Sequence, residues 1–259
     1  MAGYRAPVAN SGERHPAALP DLIALPGVPE AVEAARTAIT ALRGHPAQRR
    51  GRERIAAAAA VRAARACAAL DGAPLLLEAW DSATDTVVDP RLAGALRVAA
   101  SLAELKPVWQ PAPLQALARL HVLAAADLSP PDQLGRPRPD LGIAQRLTGL
   151  AGVMARGPWP APVMVSVVHG ELLALRPFGS ADGVVARGAA RLTMMSSGLD
   201  PEGLGVPEVA HLRCGARYRK AVDAFASGEA KGVAQWILLV CDALIAGARE
   251  GGSIADATS

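Results

Sequence analysis

Apolar residues recur at intervals of three and four along most of this chain, the period of a helix that buries one face. Val28 to Leu42 has that spacing and runs into Gly44-His45-Pro46, a helix stop. Arg49 to Leu70 reads as a long alanine-rich helix closed by Asp71-Gly72, with shorter helices predicted at 74–80 and 90–104. Leu114, Leu117, Leu120, His121 and Ala124 fall on one face of a helix ending at Ala126. Further helices are predicted at 141–155, 161–175, 183–197, 207–226 and 230–248.

Two stretches resist the pattern. The β-branched run inside 161–175 would alone suit a strand, but Leu172, Leu173 and Leu175 carry it beyond strand length, and a helix is expected. Ser129 to Asp140 holds Pro130, Pro131, Pro137 and Pro139 and is predicted to be a loop. Residues 1–27 lack periodicity and read as a flexible arm, and 251–259 as a flexible tail. Between them, N-terminal helices over 28–110 precede a core over 111–250, which gives an all-α fold class.

Composition adds exclusions. About half the residues are hydrophobic and only 3% aromatic, so alanine supplies much of the apolar content and favours close helix packing. A formal charge of +3 predicts no nucleic-acid partner. The arginines between Arg43 and Arg65 have no aromatic platform beside them and read as a solvated face. Cys67, Cys214 and Cys241 are odd in number and widely spaced, which gives neither a disulfide framework nor a metal knuckle. The N-terminus lacks the apolar core of a signal peptide, and Gly232 to Ala248 is too short to span a bilayer comfortably. A cytoplasmic protein with no membrane partner is the expectation. No dinucleotide fingerprint, P-loop or Gly-x-Ser-x-Gly appears.

One segment carries more specific information. Arg176-Pro-Phe-Gly-Ser-Ala-Asp-Gly-Val-Val-Ala-Arg187 resembles the active-site loop of the Fic family, His-Pro-Phe-x-Asp/Glu-Gly-Asn-Gly-Arg-x-x-Arg. Pro177, Phe178, Gly183 and Arg187 match it. Arg176 stands at the histidine, Ser180 at the acid, Ala181 at the first glycine, Asp182 at the asparagine and Val184 at the first arginine. His169, seven residues upstream, resembles a second family histidine, and Leu114 to His121 resembles the family's Leu-x-x-Leu-His helix. Tyr218 to Phe225, with Gly228 and Trp236, resembles the closing helices, so the likeness covers about 50–248. It implies a Fic-like helical bundle with the Pro-rich segment 129–140 at the usual flap position.

The family transfers AMP from ATP to a protein hydroxyl, and that reaction needs a base, a metal and phosphate-binding donors. Arg176 cannot be the base, because a guanidinium stays charged and offers no lone pair. Loss of a general base alone costs about 10²–10⁴ in rate. Ser180 is a poorer magnesium ligand than a carboxylate, and Val184 removes a phosphate-binding cation. In the alternative reading Asp182 supplies the missing charge from a shifted position, with His169 as a displaced base and Arg176 as a phosphate clamp. That would be an active transferase built from non-standard residues.

Binding is a separate matter. Gly183 opens a predicted helix whose first N–H groups attract anions. With Arg176, Ser180, Ala181, Asp182, Arg187 and Arg191 it is the candidate site for a phosphate or a nucleotide such as ATP. Alternatively Arg176 pairs with Asp182 or Glu171 and binds nothing. Cys67-Ala-Ala-Leu-Asp71-Gly72 has the spacing of the family's Ser/Thr-x-x-x-Glu-Gly/Asn inhibitory segment, which makes Asp71 a candidate to face Arg187. An ordinary helix C-terminus with Gly72 as cap reads the same residues equally well. The first expectation is therefore a transferase-inactive, Fic-like module with a basic, nucleotide-responsive pocket in a regulatory or protein-interaction role. The others are the unconventional transferase and a scaffold without a small ligand.

Overall fold

A computed structural model describes residues 21–74, 89–157 and 159–258. Ten α-helices follow one another: α1 Val28–Arg43, α2 Gln48–Leu70, α3 Pro90–Trp109, α4 Pro113–Ala125, α5 Leu141–Arg156, α6 Ala161–Leu175, α7 Asp182–Ser196, α8 Pro207–Cys214, α9 Ala216–Ala226 and α10 Ala230–Thr258. Short 3-10 turns occur at Leu22–Ala24 and Pro131–Gln133, and no strand occurs among the described residues.

The centre of the bundle is the antiparallel pair α6 and α7, packed on both sides by other helices. A helix that is apolar all round belongs inside a protein, and α6 qualifies; α7 is buried on nearly every face as well, although it carries Arg187 and Arg191. Val163, Val165, Val167 and Val168 are each at most 2% exposed. Burial on every face therefore overrides the strand preference of this valine run. Gly170 makes room on α6 for the Trp236 indole, whose Nε1 donates to the Ser166 carbonyl at 2.7 Å. One main apolar cluster runs from Leu22 to Ala255 and takes buried residues from every described helix except α8, whose Val209 packs with Ala59, Ala63, Ala66 and Val206 in a second, smaller cluster.

The elements depart from expectation in four places, and a fifth expectation lies outside the described residues. α3 continues past 104, through Pro107, because Trp109 is buried there and its Nε1 donates to Thr193 Oγ1 at 3.1 Å. The helix expected over 207–226 is divided at Gly215, whose φ of 53° and ψ of −117° suit only glycine. The expected flexible tail is helical instead: α10 runs to Thr258, with Ala255 fully buried and His45 Nε2 3.3 Å from Asp256. The expected arm includes the turn Leu22–Ala24, whose Leu22 is buried, while residues 1–20 lie outside the described residues. The helix expected at 74–80 also lies outside them, except Pro74, which is not helical.

At 29 residues α10 is long and apolar enough to cross a membrane by length and composition, more than its apolar stretch suggested. Yet 61% of its most apolar window is buried against the rest of the bundle.

Candidate functional site

The loop between α6 and α7 begins and ends in the left-handed region. Arg176 caps α6 at φ 47° and Ala181 precedes α7 at φ 49°. For residues with a Cβ such a conformation costs about 1–2 kcal/mol. The loop thus keeps a backbone suited to glycine at position 181, where its sequence has alanine.

Asp182 holds the turn from within. Its Oδ1 accepts the Phe178 amide at 2.9 Å, while Oδ2 has no protein partner although the residue is only 6% exposed. Burial pushes its carboxyl above the usual range, against the opposing pull of the Phe178 and Gly179 amides and of Arg176 and Arg138. Arg176 itself points to solvent. Glu171, an expected partner, is instead held by Arg146 from α5, Nε to Oε1 at 2.6 Å.

Phe178 and Ser180 meet a residue that sequence spacing did not connect to them. The His121 ring, buried on α4, stacks on Phe178 at 4.2 Å between centroids and 6° between planes. Its Nδ1 accepts the Gly135 amide at 2.9 Å, so the ring proton lies on Nε2, which donates to Ser180 Oγ at 3.0 Å. Burial lowers the imidazole pKa and favours this neutral form. Ser129 Oγ closes the group, 2.7 Å from Ser180 Oγ.

On the α2 side the contact is different in kind. Arg187 is 3% exposed and donates from Nε to Cys67 Sγ at 2.9 Å, and from one terminal nitrogen to the Cys67 carbonyl at 3.1 Å. The same nitrogen meets Asp71 Oδ1 at 2.5 Å. Burial pushes the Cys67 thiol up to about 11, so it sits against the guanidinium as a neutral acceptor. The Asp71 carboxylate also lies directly over Gly183, where a Cβ would overlap both oxygens. It therefore occupies the start of α7, the place where exposed N–H groups and the helix dipole would draw an anion.

Behind Arg187 the surroundings are polar and buried. Arg187 faces the Tyr218 hydroxyl, which lies 2.8 Å from His169 Nε2. Burial, His211 and Arg187 together hold His169 well below its usual pKa. His169 is thus turned into the core between Tyr218, His211 and Trp236, away from the loop. Arg191, one turn beyond Arg187, is engaged elsewhere: it meets Glu208 Oε2 at 3.2 Å and the carbonyls of Gly203 and Gly205 at 2.7 and 3.0 Å.

The structure therefore brings together Asp71, Cys67, Gly183 and Arg187 on one side of the loop. Ser180, Asp182 and the backbone of Arg176 gather on the other. Arg191 is held instead by Glu208 and two carbonyls, and His169 lies behind Arg187 against Tyr218 rather than at the loop. Val184 is buried. No group of three or more His, Cys, Asp or Glu side chains suited to a metal occurs among the described residues. Ser129, His121 and Arg138 are the members that spacing missed, because they lie about 40–60 residues from their loop partners.

Against solved structures, the chain is similar to a Fic family protein from Desulfovibrio desulfuricans G20, with TM-score 0.66 and 17% identity over 86% of this chain and 74% of that one. It is also similar to Fic-1, residues 134–508, from C. elegans, with TM-score 0.68 and 15% identity over 90% and 74%. A Fic domain containing signaling protein from Bacteroides thetaiotaomicron gives TM-score 0.64 and 12% identity over 88% and 99%. No family model matches the sequence, and no curated protein does. At these identities the likeness establishes the fold: the chain has the all-α Fic fold.

Proposed function

We propose that this protein is a Fic-fold module without adenylyl transfer, whose loop between α6 and α7 responds to a phosphate or nucleotide and is held closed by Asp71. The observation that carries the reading is the position of the Asp71 carboxylate, over Gly183 and against Arg187. An intramolecular anion there marks a place built to receive one, and an incoming phosphate must displace it. Inactivity follows from Arg176, which carries a permanent charge where the family's base would stand. His169 offers no substitute, since its Nε2 faces Tyr218 inside the core. Regulation or recognition of a protein partner is the role that remains for such a pocket.

A second reading, the unconventional transferase, draws support from Asp182. A buried carboxyl with a raised pKa and one unpaired oxygen has the properties of an acid–base group. Incubating the purified chain with labelled ATP, magnesium and cell lysate separates the two. No protein labelling above that of an Asp182→Asn variant supports the first reading, and labelling that this variant loses supports the second.

A further inference from the structure

The Pro-rich segment 129–140 is more than a stiff surface connection. It is fastened to the α6–α7 loop at three points. Ser129 Oγ lies 2.7 Å from Ser180 Oγ. The Gly135 amide donates to His121 at 2.9 Å, and His121 in turn donates to Ser180 at 3.0 Å. Arg138 makes the third attachment with both backbone and side chain. Its amide donates to the Pro177 carbonyl at 2.8 Å, and its guanidinium donates to the carbonyls of Arg176 at 3.2 Å and Leu175 at 3.3 Å.

These bonds have a common physical logic. A helix leaves its last carbonyls without intrahelical partners, and a cation at that end satisfies them and complements the dipole. Arg138 does this for α6 while its Cδ crosses over Gly179, where a Cβ would come within 3.2 Å. The four prolines remove backbone donors from the segment, and the Gly135 and Arg138 amides are both turned inward. Asp140 anchors the far end by accepting the Gly142 amide at 2.7 Å at the start of α5.

We propose that 129–140 is a latch, with Arg138 and Ser129 as its catches, that holds the α6–α7 loop shut on the side opposite Asp71. The loop then carries two separate restraints, and a protein partner reaching its backbone must first release the latch. This inference does not depend on whether the loop binds a nucleotide.

Amide hydrogen exchange on the full chain tests it, with wild type compared to Arg138→Ala, Arg138→Lys and Ser129→Ala. Arg138 is solvent-exposed, so its replacement leaves the core intact. Loss of one catch is expected to speed exchange at Gly135 and Phe178 by about fivefold or more, with core amides of α6 and α7 unchanged. Arg138→Lys keeps the charge but not the fork, and falls between. Unchanged exchange at 129–140 and 177–180 in both alanine variants overturns the latch. An ATP titration of the same variants reports separately on the anion site: a loosened latch with no ATP response would retain this inference and refute that one.

Discussion

The Asp71 carboxylate stands 2.5 Å from the Arg187 guanidinium, 116 residues away in sequence, with Cys67 Sγ on the Arg187 Nε side at 2.9 Å. The ends of one helical turn on α2 thus grip a single arginine on α7. Because Arg187 is nearly inaccessible to water, the pair is poorly screened, and removing one partner leaves a buried charge uncompensated.

Asp71→Ala is expected to destabilise the fold by about 1.5–3 kcal/mol, the range for a hydrogen bond to a charged group. Urea denaturation measures it. The Cys67 thiol and carbonyl remain as neutral acceptors for Arg187 and keep the loss from growing larger.

Gly183→Ala should imitate that variant although it replaces neither charged residue. Alanine normally favours a helix over glycine by about 0.5–1 kcal/mol, yet here its methyl group would displace the Asp71 carboxylate. The expected outcome is net destabilisation by urea, with little further loss when Asp71→Ala is added.

Ala181→Gly should do the opposite. Relieving a left-handed φ of 49° stabilises by about 1 kcal/mol, raising the urea midpoint without changing its slope.

Acid should weaken the fold through its buried histidines. Burial, followed by the charge of Arg187, lowers the His211 pKa from 6.5 to about 3, and His169 shifts in the same direction. Below pH 6.5 the unfolded chain binds protons that the folded chain refuses, so stability falls as pH drops from 6.5 toward 3. Each group adds a slope of up to about 1.4 kcal/mol per pH unit. The raised carboxyls of Asp182 and Asp200 act with the opposite sign above pH 3.8, losing stability as pH rises. His211→Asn should flatten the acid limb of a melting-temperature profile.

Helix positions were legible in the sequence where a 3.6-residue period met a clear stop, as at Leu42 and Leu70. They were misread where glycine gave conflicting signals. Gly215 sits inside an apparently continuous helix and breaks it, whereas Gly251 and Gly252 look like a tail yet stay helical because α10 needs Gly251 to lie against the Leu204 carbonyl. The Asp71–Arg187 contact was one of two readings that the Cys67–Gly72 spacing left open, and the structure has both it and the Gly72 turn that closes α2. Arg191 was expected beside Arg187 at the anion site, but one turn of α7 carries it to the 203–208 segment, where Glu208 and two carbonyls hold it. The cluster of His121, Ser129 and Ser180 joins three segments through tertiary packing alone, and no local pattern records that.

Calorimetric titration of ATP into wild type, Asp71→Ala and Arg187→Ala tests the central claim most directly. If Asp71 competes for the anion site at the start of α7, its removal should tighten ATP binding by about tenfold or more, and Arg187→Ala should abolish it. Equal affinity in wild type and Asp71→Ala, or no binding heat in either, would contradict the account.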